Sequence, residues 1–155
     1  MRRNRVTASF CLKFSKNPKN CIKNFWYPPP EDYLSNVPAI KYGKDNEKNA
    51  LEAFRLMYGE WKPCGLFISK KYPQLGASPD GIFEDFLLEV KCPMVLKKTT
   101  PTNIASLTKE QRRNFFLISS ETSNDGVELK KSHEYYSQLQ FQMFITGYKK
   151  SKFIV

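Results

Sequence analysis

The spacing of apolar residues along the chain predicts two long helices. In residues 39–58 apolar and small side chains recur at steps of three or four, and Gly59 follows as a helix C-cap. Residues 132–147 form a long segment rich in aromatic side chains, which predicts a second helix. These two segments are the long helices of the expected fold.

Short apolar runs between turn residues predict strands. Residues 65–69, 76–83 and 87–92 are expected to form an antiparallel meander, and residues 152–155 a further strand. Residues 113–119 and 127–130 are expected to form a hairpin around a turn at residues 123–126. The proline-rich residues 17–38 predict a connector with a short helix around residues 32–34. The order of helix, meander, helix and strand predicts an α/β protein.

Length and charge narrow the class of protein. The 155 residues suit one domain, and an apolar fraction of 41% with 14% aromatic residues is too high for a disordered basic tail. Lys and Arg number 25 against 15 Asp and Glu, which gives a net charge of +10 and favours a polyanionic partner. Residues 1–23 hold seven basic residues and no acidic one, which fits either a nucleic-acid tail or a solvated edge. Neither a signal peptide nor a membrane span is apparent, so we expect a soluble intracellular protein.

Cysteine and histidine usage limits the chemistry that a site can carry. The four cysteines are widely spaced without a CxxC pair, which predicts reduced and mostly buried thiols. His133 is the single histidine, so an imidazole-rich zinc site is excluded. Carboxylates, lysine and a hard cation such as Mg²⁺ remain.

The run at residues 87–92 brings opposite charges to one face of a strand. Because side chains alternate along a strand, Glu89 and Lys91 share one face while Leu88 and Val90 share the other. Alone, this pattern also fits an edge strand with a solvent-facing ion pair. Asp80 lies in a Ser-Pro-Asp-Gly sequence, which is an ordinary turn or a kink that brings this carboxylate beside Glu89.

A third carboxylate, Glu47, falls on the apolar face of the first predicted helix, between Gly43 and Leu51. It is either a group aimed at the same metal, or a residue at the margin of that face or paired with a buried lysine. Three carboxylates and a lysine in a basic protein suit phosphodiester hydrolysis with Mg²⁺.

The sequence resembles a nuclease family at this point. Pro79-Asp80, eight residues and then Glu89-Val90-Lys91 resemble the PD-(D/E)XK signature, and the surrounding Leu-Glu-Val-Lys-Cys-Pro resembles the lambda-type exonuclease or YqaJ viral recombinase branch. Three further pieces resemble that branch in the same order: Thr7-Ala8-Ser9, the Gly43 to Glu47 helix, and the glutamine-rich residues 135–147. The resemblance implies a restriction-endonuclease-like α/β core, a central mixed β-sheet with an antiparallel meander flanked by α-helices. It also implies a single nuclease domain over residues 1–155, shortened at both ends relative to the family.

The resemblance also implies roles for the residues of the metal centre. Asp80 and Glu89 would bind Mg²⁺, or Mn²⁺ in its place, with the carbonyl of Val90 as a further ligand. Lys91 would position or activate the attacking water, and Glu47 would assist the metal or its water.

In the same family, an arginine, a serine and a glutamine hold the 5′-phosphate of a DNA end. These positions match Arg2, Ser9 and Gln138, with Arg3 or Arg5 as alternatives to Arg2. A guanidinium, a hydroxyl and an amide can each donate a hydrogen bond to phosphate oxygens.

The expected activity is that of a Mg²⁺-dependent deoxyribonuclease, a 5′→3′ exonuclease on linear double-stranded DNA in viral or mobile-element recombination. The alternatives are a structure-specific or restriction-type endonuclease with the same site, and a catalytically inactive module that binds DNA ends. Double-stranded DNA ends, a single-strand annealing or recombination protein, and copies of the same chain in a ring trimer are the partners that the resemblance implies, and no membrane is among them.

Overall fold

The structure, a computed structural model, describes residues 5–11, 17–27, 33 and 36–155. Arg2, Arg3 and the bounds of the short helix expected around residues 32–34 lie outside this part of the chain. The strands are β1 (Val6–Thr7), β2 (Lys62–Pro63), β3 (Phe67–Ile68), β4 (Leu75–Ala77), β5 (Gly81–Phe83), β6 (Phe86–Val90), β7 (Leu117–Ser119), β8 (Val127–Leu129) and β9 (Lys150–Ile154). The helices are α1 (Pro18–Trp26), α2 (Pro38–Tyr58), α3 (Lys109–Asn114) and α4 (Glu134–Thr146).

Both long helices are confirmed within two residues of their predicted ends. Helix α2 has proline at its first position, where a missing N–H costs nothing. Gly59 ends it with φ of 109° and donates its N–H to the carbonyl of Arg55, as a C-cap should. Helix α4 begins at the His133 cap and ends at Gly147, which is in the left-handed conformation.

The central sheet has four strands in the order β2-β5-β6-β9. β5 is antiparallel to β2 and to β6, whereas β9 is parallel to β6, so the sheet is mixed as expected. β6 is therefore an inner strand with a neighbour on each side. The α/β fold class is confirmed.

The prediction of a single meander strand over residues 76–83 is wrong. Its two halves are β4 and β5, which belong to different sheets, because β4 pairs with β1 and β3 in a three-stranded sheet. Pro79 lies between the halves and is fully buried. Since proline has no N–H for a strand ladder, the chain leaves one sheet here and enters the other.

Two other segments differ from the prediction. Helix α1 occupies part of the expected connector, and Pro18 is accommodated because it is the first helical residue. The hairpin is confirmed as β7 and β8, but the first residues of its predicted strand belong to α3. A capping box between Thr108 and Gln111 begins that helix.

Two apolar clusters flank the central sheet. One lies between α2 and β6 and is built on Leu51, Phe54, Leu88 and Val90. The other is built on the segment before β7, with Phe115, Phe116 and Leu117 at its centre. In the described part of the chain no helix is long and apolar enough to cross a membrane. The cysteines are free thiols, as expected, but the prediction that they are mostly buried is wrong, because only Cys21 is buried and the other three are partly exposed.

Candidate active site

Strand β6 carries the centre of the site on one of its two faces. Leu88 and Val90 pack against α2, whereas Glu89 between them points to the opposite side, beneath α4. Glu89 is only 2% exposed. A solvent-facing ion pair on an edge strand is therefore excluded, because β6 is an inner strand and this carboxylate is buried.

Three donors hold the buried carboxylate of Glu89. Lys91 Nζ and Gln138 Nε2 donate to Oε1, and Gln142 Nε2 donates to Oε2 at 2.6 Å. The glutamines are four residues apart on α4, so the helix presents both to the same point. Burial of a carboxylate is costly unless it is hydrogen-bonded and paired, and here it is both.

Asp80 lies beside Glu89 because the kink after β4 turns its side chain toward the end of β6. Its Oδ2 accepts the N–H of Val90 at 2.7 Å, and its own N–H donates to the carbonyl of Leu88. Burial, followed by the negative charge of Glu89, raises the pKa of Asp80 to about 6, against the lowering effects of the Val90 N–H and Lys91. The predicted convergence of these two carboxylates is thus present in the structure.

Lys91 is bound by oxygens on two sides. Its Nζ donates to Glu89 Oε1 and, at 3.1 Å, to the carbonyl oxygen of Val90, and it lies 5.3 Å from the centre of the Tyr135 ring. Burial alone would lower the pKa of Lys91, but the charge of Glu89 and its hydrogen bond outweigh burial, and the pKa lies above its ordinary value. Lys91 is therefore a charged hydrogen-bond donor at neutral pH.

Glu47 lies on α2, half-buried, one turn after Gly43. A Cβ on Gly43 would lie 3.5 Å from the carbonyl oxygen of Cys92, so the helix passes close to the chain that leaves β6. Burial first, and then the charge of Glu47, raise the pKa of the Cys92 thiol. Within the described ranges, however, no three His, Cys, Asp or Glu side chains are close enough to hold one metal ion. The role of Glu47 at the metal stays a prediction.

The oxygens of Asp80, Glu89 and the Val90 carbonyl are the kind of donors that a hard cation such as Mg²⁺ requires. The ammonium of Lys91 contacts two of the three residues, at Glu89 Oε1 and the Val90 carbonyl, so this position already attracts positive charge. The carboxylate charge of Glu89 also raises the pKa of Asp80, after burial, and a cation between the two would counter that repulsion. The donor set therefore fits a divalent cation.

The residues predicted to hold a 5′-phosphate differ in how much the structure describes of them. Arg2 lies outside the described residues, while Ser9 is exposed just after β1 and its hydroxyl is 3.4 Å from that of Thr7. Cys11 Sγ lies 4.0 Å from the carbonyl of Ser137, next to Gln138, so the chain after β1 approaches α4 at Cys11. Arg5, an alternative to Arg2, donates from Nε to the carbonyl of Pro73. Their phosphate-binding roles stay predictions.

Two contacts of the site are absent from the sequence-based prediction. Gln142 reaches Glu89, and Lys91 Nζ lies over the ring of Tyr135, which also packs against the apolar cluster around Phe116. The four-residue step from Gln138 to Gln142 is the signal that places both on one helix face. For Tyr135 the sequence offers only a position one turn before Gln138.

Comparison with known proteins points to one family. The family model of the YqaJ-like viral recombinase domain matches residues 1–149. An alkaline exonuclease (LHK-Exo) from Laribacter hongkongensis is similar in structure, with a TM-score of 0.64 and 23% sequence identity over 98% of this chain and 69% of its own. A structure of LHK-Exo in complex with dAMP gives a TM-score of 0.66 and 24% identity over the same shares. No curated protein matches this chain in sequence.

Proposed function

Because the chain belongs to the YqaJ-like viral recombinase domain family, we propose that it is a Mg²⁺-dependent deoxyribonuclease that hydrolyses the phosphodiester bonds of DNA. The observation that carries this proposal is the convergence of Asp80, Glu89 and Lys91 at the end of β6. The fold similarity to LHK-Exo, which is named an alkaline exonuclease and was solved in complex with dAMP, supports the same activity.

In this proposal Asp80, Glu89 and the Val90 carbonyl bind the cation. A divalent cation supplies positive charge to the phosphate and makes water more acidic. Asp80 is ionised above its pKa, which is raised, by burial first, to about 6. We therefore expect the enzyme to work at neutral and alkaline pH and to lose activity below about pH 6.

Lys91 acts as a donor rather than as a base. Its ammonium stays protonated because, against the effect of burial, Glu89 raises its pKa. A charged donor beside the metal ligands orients the attacking water and stabilises the charge that develops on the phosphate. The ring of Tyr135 and the oxygen of Glu89 keep it directed toward the site.

The substrate we propose is the end of linear double-stranded DNA, cut in the 5′→3′ direction. The net charge of +10 favours a polyanion, and the basic residues draw DNA toward carboxylates that alone would repel it. The amide of Gln138 has two N–H donors and gives one to Glu89, so the second can bind a 5′-phosphate. The family resemblance extends the proposal to recombination of viral or mobile-element DNA, a ring-shaped trimer and an annealing protein as partner.

The test is degradation of 5′-phosphorylated linear duplex DNA with Mg²⁺ by the wild type, Asp80→Ala and Lys91→Ala. Each substitution is expected to reduce the rate by about 10²-fold or more, because each removes a group that meets charge in the transition state. Asp85→Ala and Lys150→Ala are matched controls. They remove an Asp and a Lys that form an exposed ion pair at 2.7 Å near the other end of β6.

Each outcome separates one possibility. If Asp80→Ala and Lys91→Ala both cut like the wild type, the site is elsewhere. Nicking of closed circular DNA shows an endonuclease, and end binding without cutting shows an inactive module. An equal rate on DNA that lacks the 5′-phosphate contradicts the phosphate roles of Ser9 and Gln138.

A further inference from the structure

Helix α4 presents two glutamines to one buried carboxylate. Gln138 and Gln142 lie on the same helix face and donate to different oxygens of Glu89. Gln140, between them in sequence, is exposed and lies on another part of the helix surface. The helical spacing therefore surrounds Glu89 with amide donors on both of its oxygens.

Among the described residues, the Gln142 side chain makes its polar contact with Glu89 alone. It is 1% exposed, its Nε2 lies 2.6 Å from Glu89 Oε2, and its Oε1 has no hydrogen-bond partner within the described residues. The reversed amide would bring Oε1 against a carboxylate oxygen, and two acceptors repel each other. A buried unpaired amide oxygen costs free energy that an apolar side chain of similar size would avoid. The contact with Glu89 thus accounts for a glutamine at this position.

The two oxygens of Glu89 differ in the acceptor positions that they retain. Oε1 accepts from Lys91 and from Gln138, which uses both positions of that oxygen. Oε2 accepts from Gln142 and has no second donor within the described residues. Gln142 therefore fixes the direction of the acceptor position that remains on Oε2.

We propose that Gln142 is a positioning residue that holds the Glu89 carboxylate in the orientation needed to bind the divalent cation. This inference rests on the proposed function, because it concerns the same cation. Gln142 acts through Glu89 and does not itself contact substrate. Hydrogen-bond partners of metal-binding side chains change metal affinity by about 10–100-fold when they are removed.

Direct binding of Mn²⁺ to the purified full chain, measured by calorimetry and by Mn²⁺ electron paramagnetic resonance, tests the inference. Gln142→Met keeps the length and approximate volume of the side chain and removes the donor. Its Kd for Mn²⁺ is expected to rise by about 10-fold or more. Gln140→Met makes the same chemical change on an exposed part of α4, and its Kd is expected to equal that of the wild type.

A second variant protects the test against a folding defect. Gln142→Asn keeps the amide but is one methylene shorter, so it reaches Glu89 Oε2 poorly, and it too is expected to weaken Mn²⁺ binding. In DNA degradation, both Gln142 variants should need more Mn²⁺ for half-maximal rate while KM for DNA stays unchanged. Saturating Mn²⁺ should restore most of the rate.

The experiments distinguish a failure of this inference from a failure of the proposed function. A purely structural role would lower Tm in both Gln142 variants and leave the Kd for Mn²⁺ unchanged, which overturns the inference while the proposed function stands. A wild type that neither binds Mn²⁺ nor degrades DNA overturns the proposed function, and the inference falls with it.

Discussion

Strand β6 buries two faces of opposite character. On one face Leu88 and Val90 pack against Leu51 and Phe54 of α2, and on the other Glu89 lies beneath α4 with a lysine and two glutamines around it. Leu88, Glu89 and Val90 are each at most 4% exposed. Burial alone thus does not distinguish the apolar core from the candidate site. The polarity of the residues that pack against each face distinguishes them.

The two faces are stabilised in different ways. Apolar contact on the α2 face is favourable without any specific partner, at about 25 cal/mol per Å² buried. A carboxylate in the same strand costs free energy to bury and depends on donors that satisfy it. The apolar face can therefore stabilise the strand, while the polar face keeps a charged carboxylate inside the protein.

Among the substitutions that test this comparison, Glu89→Gln is expected to have the largest effect, and that effect is on the cutting rate. It keeps the shape of the side chain and removes the negative charge, so the cutting rate per folded molecule should fall by about 10²–10³-fold. The rate is measured on linear duplex DNA with Mg²⁺, and circular dichroism gives the folded fraction. Glu128→Gln, on the exposed side of β8, is the control and should cut like the wild type. A rate for Glu89→Gln within threefold of the wild type would show that the polar face is not the reaction centre.

Leu88→Ala tests the apolar face next to it. Truncation of this fully buried side chain should lower the free energy of unfolding by about 2–5 kcal/mol, measured by urea denaturation. The cutting rate per folded molecule should stay within a few-fold of the wild type. Leu56→Ala, at a position 74% exposed on α2, should change stability by at most about 0.5 kcal/mol. Loss of cutting in fully folded Leu88→Ala would mean that the two faces cannot be separated.

The same contrast between the two faces explains which features of the fold and the site could be predicted from the sequence. Alternation along residues 87–92 predicts both faces of β6, and the helical spacing of residues 39–58 predicts the apolar partner of one face. The position of Asp80 beside Glu89 was also predictable, because the eight residues between them form a tight hairpin that returns the chain along the neighbouring strand.

The two glutamine partners of Glu89 could not be predicted in the same way. Gln138 and Gln142 lie 49 and 53 residues after Glu89 in the sequence. No local sequence pattern predicts which face of the sheet α4 covers. The division of residues 76–83 between two sheets depends on where Pro79 is buried, which is a tertiary property. The arrangement of residues within one strand and its hairpin was thus predictable from sequence, whereas the contacts from distant elements were not.

Asp80→Asn is expected to have the smallest effect on folding and one of opposite sign to Leu88→Ala. The pKa of Asp80 is raised, by burial first and then by Glu89, from 3.8 to about 6. A carboxyl whose pKa is higher in the folded protein stabilises it below the unfolded pKa and loses that contribution as pH rises through about 6. At pH 8 without metal, the neutral amide should therefore make the protein more stable by about 1 kcal/mol, with allowance for solvent screening, although cutting is lost.

Urea denaturation in EDTA at pH 5 and pH 8 checks this sign, since the advantage of Asp80→Asn should be larger at pH 8. Asp85→Asn is the matched control, because the hydrogen bond from Lys150 lowers the pKa of that exposed carboxyl and the substitution should bring no gain. An Asp80→Asn protein less stable than the wild type at pH 8 would contradict the prediction. It would mean that the hydrogen bond from the Val90 N–H to the charged carboxylate outweighs both the cost of burying that carboxylate and its repulsion by Glu89.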